Sequence, residues 1–160
     1  MDDDFSLAEH PELLLLPVGY VLFFVAMWLM ATTVLAFASG WFRLARTYPD
    51  RPEETPLLSL KRQTGLLGPG ISYRGVLRLE VCPSGLRVGV AWLLGPFCKD
   101  FLVPWSDISP SREKTLFWSS ARLEFGAPRV GVLKMRPRLA EALEHAADGL
   151  WPLPLTSAPR

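Results

Sequence analysis

Two histidines and two cysteines are the residues best suited to metal or nucleophilic chemistry in this chain, and their spacing serves neither. His10 lies in an acidic leader, MDDDFSLAEHPE, and His145 lies in RPRLAEALEHAADGL near the other end. Cys82 and Cys98 lack the CxxC spacing of a zinc or redox site, so no metal is expected. A serine or cysteine nucleophile would need His145 as its base, yet no nucleophile elbow, phosphate loop or paired-acid motif accompanies it. The glycine-rich run Gly65–Gly75, GLLGPGISYRG, lacks both GxGxxG and GxxxxGK[ST] and precedes a strand pattern, which makes it loop geometry. The expectation is a protein without catalytic residues and without a cofactor.

The side chains left for function are contact formers. Arg74, Arg78, Arg87 and Arg122 fall opposite apolar rows, and with Lys61, Arg62, Lys99 and Arg112 they are candidates for a positive surface that meets anionic lipid headgroups. Glu80, Glu113 and Glu124 are interspersed among them, as on an ordinary solvated face. The run WLLGPF, with Trp92, Leu93, Leu94 and Phe97, places large apolar residues at an expected loop tip, where exposure would mark a partner contact. In GWFRLARTYP, Trp41, Leu44, Ala45 and Tyr48 recur at i, i+3, i+4 and i+7. That stripe is expected to lie along a membrane surface, with Trp41, Phe42, Arg43 and Arg46 at the interface. No exposed aromatic platform interleaved with cations is identifiable, so nucleic acid is not an expected partner.

The elements that hold these residues begin with an anchor. Leu13 to Phe42 are thirty consecutive residues without Asp, Glu, Lys, Arg or His, longer as a helix than a hydrocarbon core of ~30 Å. A signal peptide would want a basic leader and ~7–15 apolar residues, so a retained transmembrane helix over 13–42 is expected. Five acids and no Lys or Arg precede it, whereas Arg43, Arg46, Arg51, Lys61 and Arg62 follow. Basic flanks stay in the cytoplasm, so the N-terminus is expected outside and residues 43–160 inside, at a cell inner membrane. Those residues carry 17 basic against 11 acidic side chains, a surplus hidden in a net charge of +1.

After a proline-interrupted linker over 43–59, the apolar period becomes two. SYRGVLRLEV sets Tyr73, Gly75, Leu77, Leu79 and Val81 on one face, and LRVGVAW after the CPSG turn completes a hairpin. Further strands are expected at Phe101 to Trp105, Lys114 to Trp118, Ala121 to Phe125 and Arg129 to Lys134. A closing amphipathic helix has Leu139, Ala142, Leu143 and Ala146 as its stripe, Pro137 at its start and Gly149 as its cap. The resulting fold class is one transmembrane helix followed by a mainly-β unit over 60–149: antiparallel sheets or a partly open barrel of six or seven strands, closed by a C-terminal helix. An acidic tail over 1–12 and a Pro-rich tail over 150–160 flank these parts.

The order of short strands, the segment FLVPWSDI and the closing helix resemble a small bacterial pleckstrin-homology-like (PH-like) or GRAM-like domain. GWFRLARTYP after the apolar run is similar to bacterial single-pass membrane proteins built from one anchor and one such domain. The resemblance spans roughly residues 40–147 and brings no catalytic residues with it. It implies a membrane-anchored, non-enzymatic interaction module that recruits or stabilises a protein partner at the cytoplasmic face. The alternative it implies is an anionic-lipid-binding or lipid-sensing domain, although Cys82–Gly85, read as the first hairpin turn, carries no cation for inositol phosphates.

Overall fold

The computed structural model describes residues 11–91, 97–114 and 119–151. Helix α1 (Pro11–Ala38) contains a stretch, Leu16–Ala38, that is long and apolar enough to cross a membrane, at mean hydropathy 2.3. Only 11% of its most apolar window is buried in the protein, which separates it from the core helix of a globular domain. Its threonine hydroxyls are satisfied within the helix: Thr32 Oγ1 donates to the carbonyl of Trp28 and Thr33 Oγ1 to that of Leu29, at 3.0 and 2.7 Å. The helix stops sooner than the apolar run does. Gly40 takes φ +76, and the chain turns into a separate short helix, α2 (Trp41–Thr47).

Seven antiparallel strands follow: β1 (Leu58–Leu67), β2 (Ile71–Val81), β3 (Gly85–Val90), β4 (Phe101–Pro104), β5 (Ile108–Lys114), β6 (Ser119–Phe125) and β7 (Gly131–Met135). A single 3-10 turn, Trp105–Asp107, joins β4 to β5, and helix α3 (Pro137–Ala147) ends the fold. The spatial order β4-β3-β2-β1-β7-β6-β5 makes one nearly closed, barrel-like sheet in which β1 pairs with both β2 and β7. The mainly-β fold with one preceding apolar helix and one closing helix is thus the architecture expected from the sequence.

The core follows the period-two rows. Leu77, Leu79 and Val81 of β2 meet Leu86 and Val88 of β3, Phe101 and Val103 of β4, and Leu123, Phe125 and Leu133 of β6 and β7. The α3 stripe is rotated slightly from its expected position: Ala140, Leu143 and Ala147 are buried, Leu139 and Ala146 flank them, and Ala142 is exposed. Trp105 is buried against Trp151, with its indole N–H donated to the carbonyl of Cys82 at 3.1 Å.

Three strand expectations need revision. Residues 108–114 form β5 although ISPSREK shows no apolar alternation; Pro110 is accommodated because β5 ends the sheet order and needs no second ladder. Of the strand expected from Lys114 to Trp118, Lys114 ends β5 and residues 115–118 lie outside the described residues. The first hairpin joins β1 to β2 across Gly68–Gly70, so Cys82–Gly85 is the second turn, and Gly65–Leu67 of the glycine-rich run belong to β1.

Candidate functional site

The joint between the apolar helix and the sheet is closely packed. Trp41, Leu44 and Tyr48, expected along a lipid surface, point instead into the core, where Trp41 and Leu44 are 0% and 1% exposed. Trp41 packs edge-on against Phe101 at 5.1 Å between ring centroids and donates its indole N–H to the carbonyl of Lys99 at 2.9 Å. A stripe at helical spacing reports only that one face is buried; here the uncovered end of the sheet offered a closer apolar surface than lipid. Phe42 is half-buried against the same core, and only Arg43 and Arg46 of that expected quartet are exposed.

Small residues make this close approach possible. A Cβ at Gly68, which has φ +64, would lie 2.4 Å from the carbonyl oxygen of Ser39, and one at Gly131 would lie 2.8 Å from the side chain of Leu44. Ser39 Oγ and Tyr73 Oη share a 2.8 Å hydrogen bond across the same seam. At the far end of α2, the hydroxyl of Tyr48 donates to Asp107 Oδ2 at 3.0 Å. Burial, reinforced by the neighbouring Asp107 carboxylate, pushes the Tyr48 phenol up to about 12.

Residues after α2 do not hang free as a linker. Arg87 of β3 reaches over them, donating from Nε to Asp50 Oδ1 at 2.7 Å, from Nη1 to Glu80 Oε2 at 3.0 Å, and from Nη2 to the carbonyls of Arg51 and Glu54. Ser84 Oγ donates to the Glu54 carboxylate, and the Leu57 N–H to the carbonyl of Val81. Burial opposes ionisation of Glu80, but the bonds from Arg87 and Ser59 and the charges of Arg78 and Arg87 outweigh it and hold the carboxyl below its usual range. Arg87 is therefore 6% exposed and unavailable to lipid. Its alternation on β3 is sound, but both faces of β3 are buried, the outer one beneath residues 50–54.

The other expected lipid contacts divide. Arg78 is ion-paired with Asp100 and lies near Glu80, and Arg122 is held between Glu113 and Glu124. Arg74 alone of the four is exposed and has no carboxylate partner among the described residues. The four arginines thus do not form one positive surface. Of the expected partner loop, Trp92, Leu93 and Leu94 lie outside the described residues, and Phe97 is 57% exposed.

Neither cysteine is poised as a nucleophile, since burial pushes both thiols up. His145 is exposed on α3, and no group of three or more metal-ligating residues occurs among the described residues. No family model, curated protein or solved structure matches the chain. Its own geometry is what bears on function. The largest feature missed in the sequence is a pair of facing irregularities in the first hairpin: the β1–β2 register slips between Leu60 and Gln63 and again between Gln63 and Gly65. Arg62 there has φ +58, and Gly75, at φ +65, donates its N–H to Thr64 Oγ1 at 2.9 Å. The only sequence signal for it was the glycine at 75, which breaks the apolar row of β2.

Proposed function

We propose that this protein is a membrane-anchored, non-enzymatic interaction module: α1 spans a cell inner membrane of bacterial type with its N-terminus outside, and a PH-like domain recruits or stabilises a protein partner in the cytoplasm. The observation that supports it most is the joint. Because Trp41, Leu44 and Tyr48 are core residues of the domain, the domain is held at a fixed attitude to the helix that precedes it. A tethered catalyst or a diffusing reader gains little from such rigidity, whereas a docking surface gains preorganisation. The seven-stranded order with a closing helix is in keeping with the PH-like resemblance, and the basic residues after α1 with the proposed orientation.

Phe97 is the exposed apolar residue proposed for partner contact. A photoreactive amino acid at position 97 of the full chain, expressed in cells with α1 intact, tests this. The reading expects one discrete protein adduct after irradiation. Lipid adducts alone, or none, would overturn it.

A further inference from the structure

An open groove of about 640 Å³ lies on the outer face of the sheet and crosses β2, β1, β7, β6 and β5. It follows one row of the ladder. Tyr73, Gly65, Met135 and Ala121 pair in succession across the first four of these strands and turn toward the core. The row one residue on therefore faces outward: Arg74, Thr64 and Arg136 are exposed, and Ser120 is paired with Glu113 of β5. Four strand spacings make this row ~19 Å long. Its charge is unbalanced. Glu113 is the one carboxylate in the groove, and Lys134 and Arg122 already engage it. Arg74 and Arg136 have no carboxylate partner among the described residues. Thr64 Oγ1 accepts the Gly75 N–H and keeps its own proton to donate, and Ser72 and Ser120 make no side-chain hydrogen bond among the described residues.

We infer that this groove seats an extended acidic segment of a protein partner, its carboxylates on Arg74 and Arg136 and its backbone along the hydroxyls between them. Three features point to this occupant. The two unpaired cations stand on β2 and just beyond β7, two strand spacings or ~10 Å apart. Alternate side chains of an extended chain share one face at ~7 Å intervals, so acids two to four residues apart reach both arginines. A row of ~19 Å takes about six such residues, far more than a single small anion fills. The groove meets the cavity beside α1 only at Ser72 and Arg74, so a headgroup entering from the membrane side would leave Arg136 unused. No aromatic side chain lines the groove, which removes the stacking that single-stranded nucleic acid would want. The inference deepens the interaction-module reading and rests on it, by giving the chemistry of the partner.

The test uses the full chain in phosphatidylcholine nanodiscs, with a fluorescent hexapeptide of alternating serine and glutamate and its serine–glutamine counterpart as probes, read by anisotropy. The wild type is expected to bind the acidic peptide roughly tenfold more tightly at low salt, about threefold per cation, and to lose that preference as salt rises. R74Q/R136Q, whose sites are exposed, is expected to keep its melting temperature and to abolish the preference. K61Q/R62Q removes the same charge from a different cavity and is expected to leave it unchanged. Equal loss in both double variants, or no preference in the wild type, would show unspecific charge attraction only and overturn the inference. Peptide binding untouched by R74Q/R136Q, with retention of phosphatidylglycerol from mixed discs reduced instead, would assign the row to headgroups and overturn it as well. The two readings fail apart: a protein adduct at position 97 without peptide selectivity overturns the groove alone, whereas selectivity without that adduct counts against the Phe97 contact alone.

Discussion

Helices α2 and α3 carry the same kind of apolar stripe and close the same sheet, yet their sequences suggest opposite surroundings. In α3 the stripe lies between charged residues far from any apolar run, and burial against the sheet is the natural reading. In α2 it begins within the run of thirty uncharged residues and is flanked by arginines, which reads as a helix lying on a membrane. The structure turns both stripes inward: Trp41 and Leu44 from one side, Ala140 and Leu143 from the other. Periodicity identifies a buried face, and the nearest unsatisfied apolar surface decides what buries it. For α2 that surface was the open end of its own domain, so the helix became a joint and not a float.

This comparison can be broken most forcefully at Trp41. Trp41→Ala should destabilise the domain by about 3–5 kcal/mol, as deletion of a buried aromatic does, seen as a lower urea midpoint for the full chain. A loss below about 1 kcal/mol would return Trp41 to the lipid. Next in size is the polar counterpart of the joint. Arg87→Leu leaves Glu80 and Asp50 buried or half-buried without their cation and should cost roughly 3 kcal/mol. Limited proteolysis should then cut first within residues 50–57, whose anchorage depends on that guanidinium.

Tyr48 sharpens the account by pH. Its phenol is raised from 10.0 to about 12 in the fold, so its stabilisation is complete below pH 10 and is lost as pH climbs from 10 toward 12. Tyr48→Phe should cost about 1 kcal/mol at neutral pH and flatten the decline in stability between pH 10 and 12. An identical alkaline slope in wild type and variant would show that Tyr48 is not buried beside Asp107 in the joint. The smallest effect is expected at Phe97, where Phe97→Ser should change stability by less than about 0.5 kcal/mol, since the side chain is largely exposed.

How far the fold was legible follows from the same physics. The strands of the β2–β3 hairpin alternate apolar and polar residues and were readable residue by residue, apart from Gly75, where a bulge interrupts the row. Strand β5 was not, because an edge strand with Pro110 and four polar or charged residues among Ile108–Glu113 presents no periodic apolar face. Arg87 misled for another reason: alternation gives the face on which a side chain lies, but not whether distant chain covers that face. The two register slips of the β1–β2 ladder left no sequence signal beyond Gly75, because they arise from pairing between strands.

The central claim is that α1 and the β domain form one rigid unit through α2. Electron–electron resonance distances between spin labels on cysteines at Val34 and Arg138, with Cys82→Ala and Cys98→Ser, measure it directly in lipid nanodiscs. A single narrow distance distribution that broadens on Trp41→Ala is the predicted result. A broad distribution in the protein with Trp41 intact would mean that the domain swings freely from its helix, and would contradict the account.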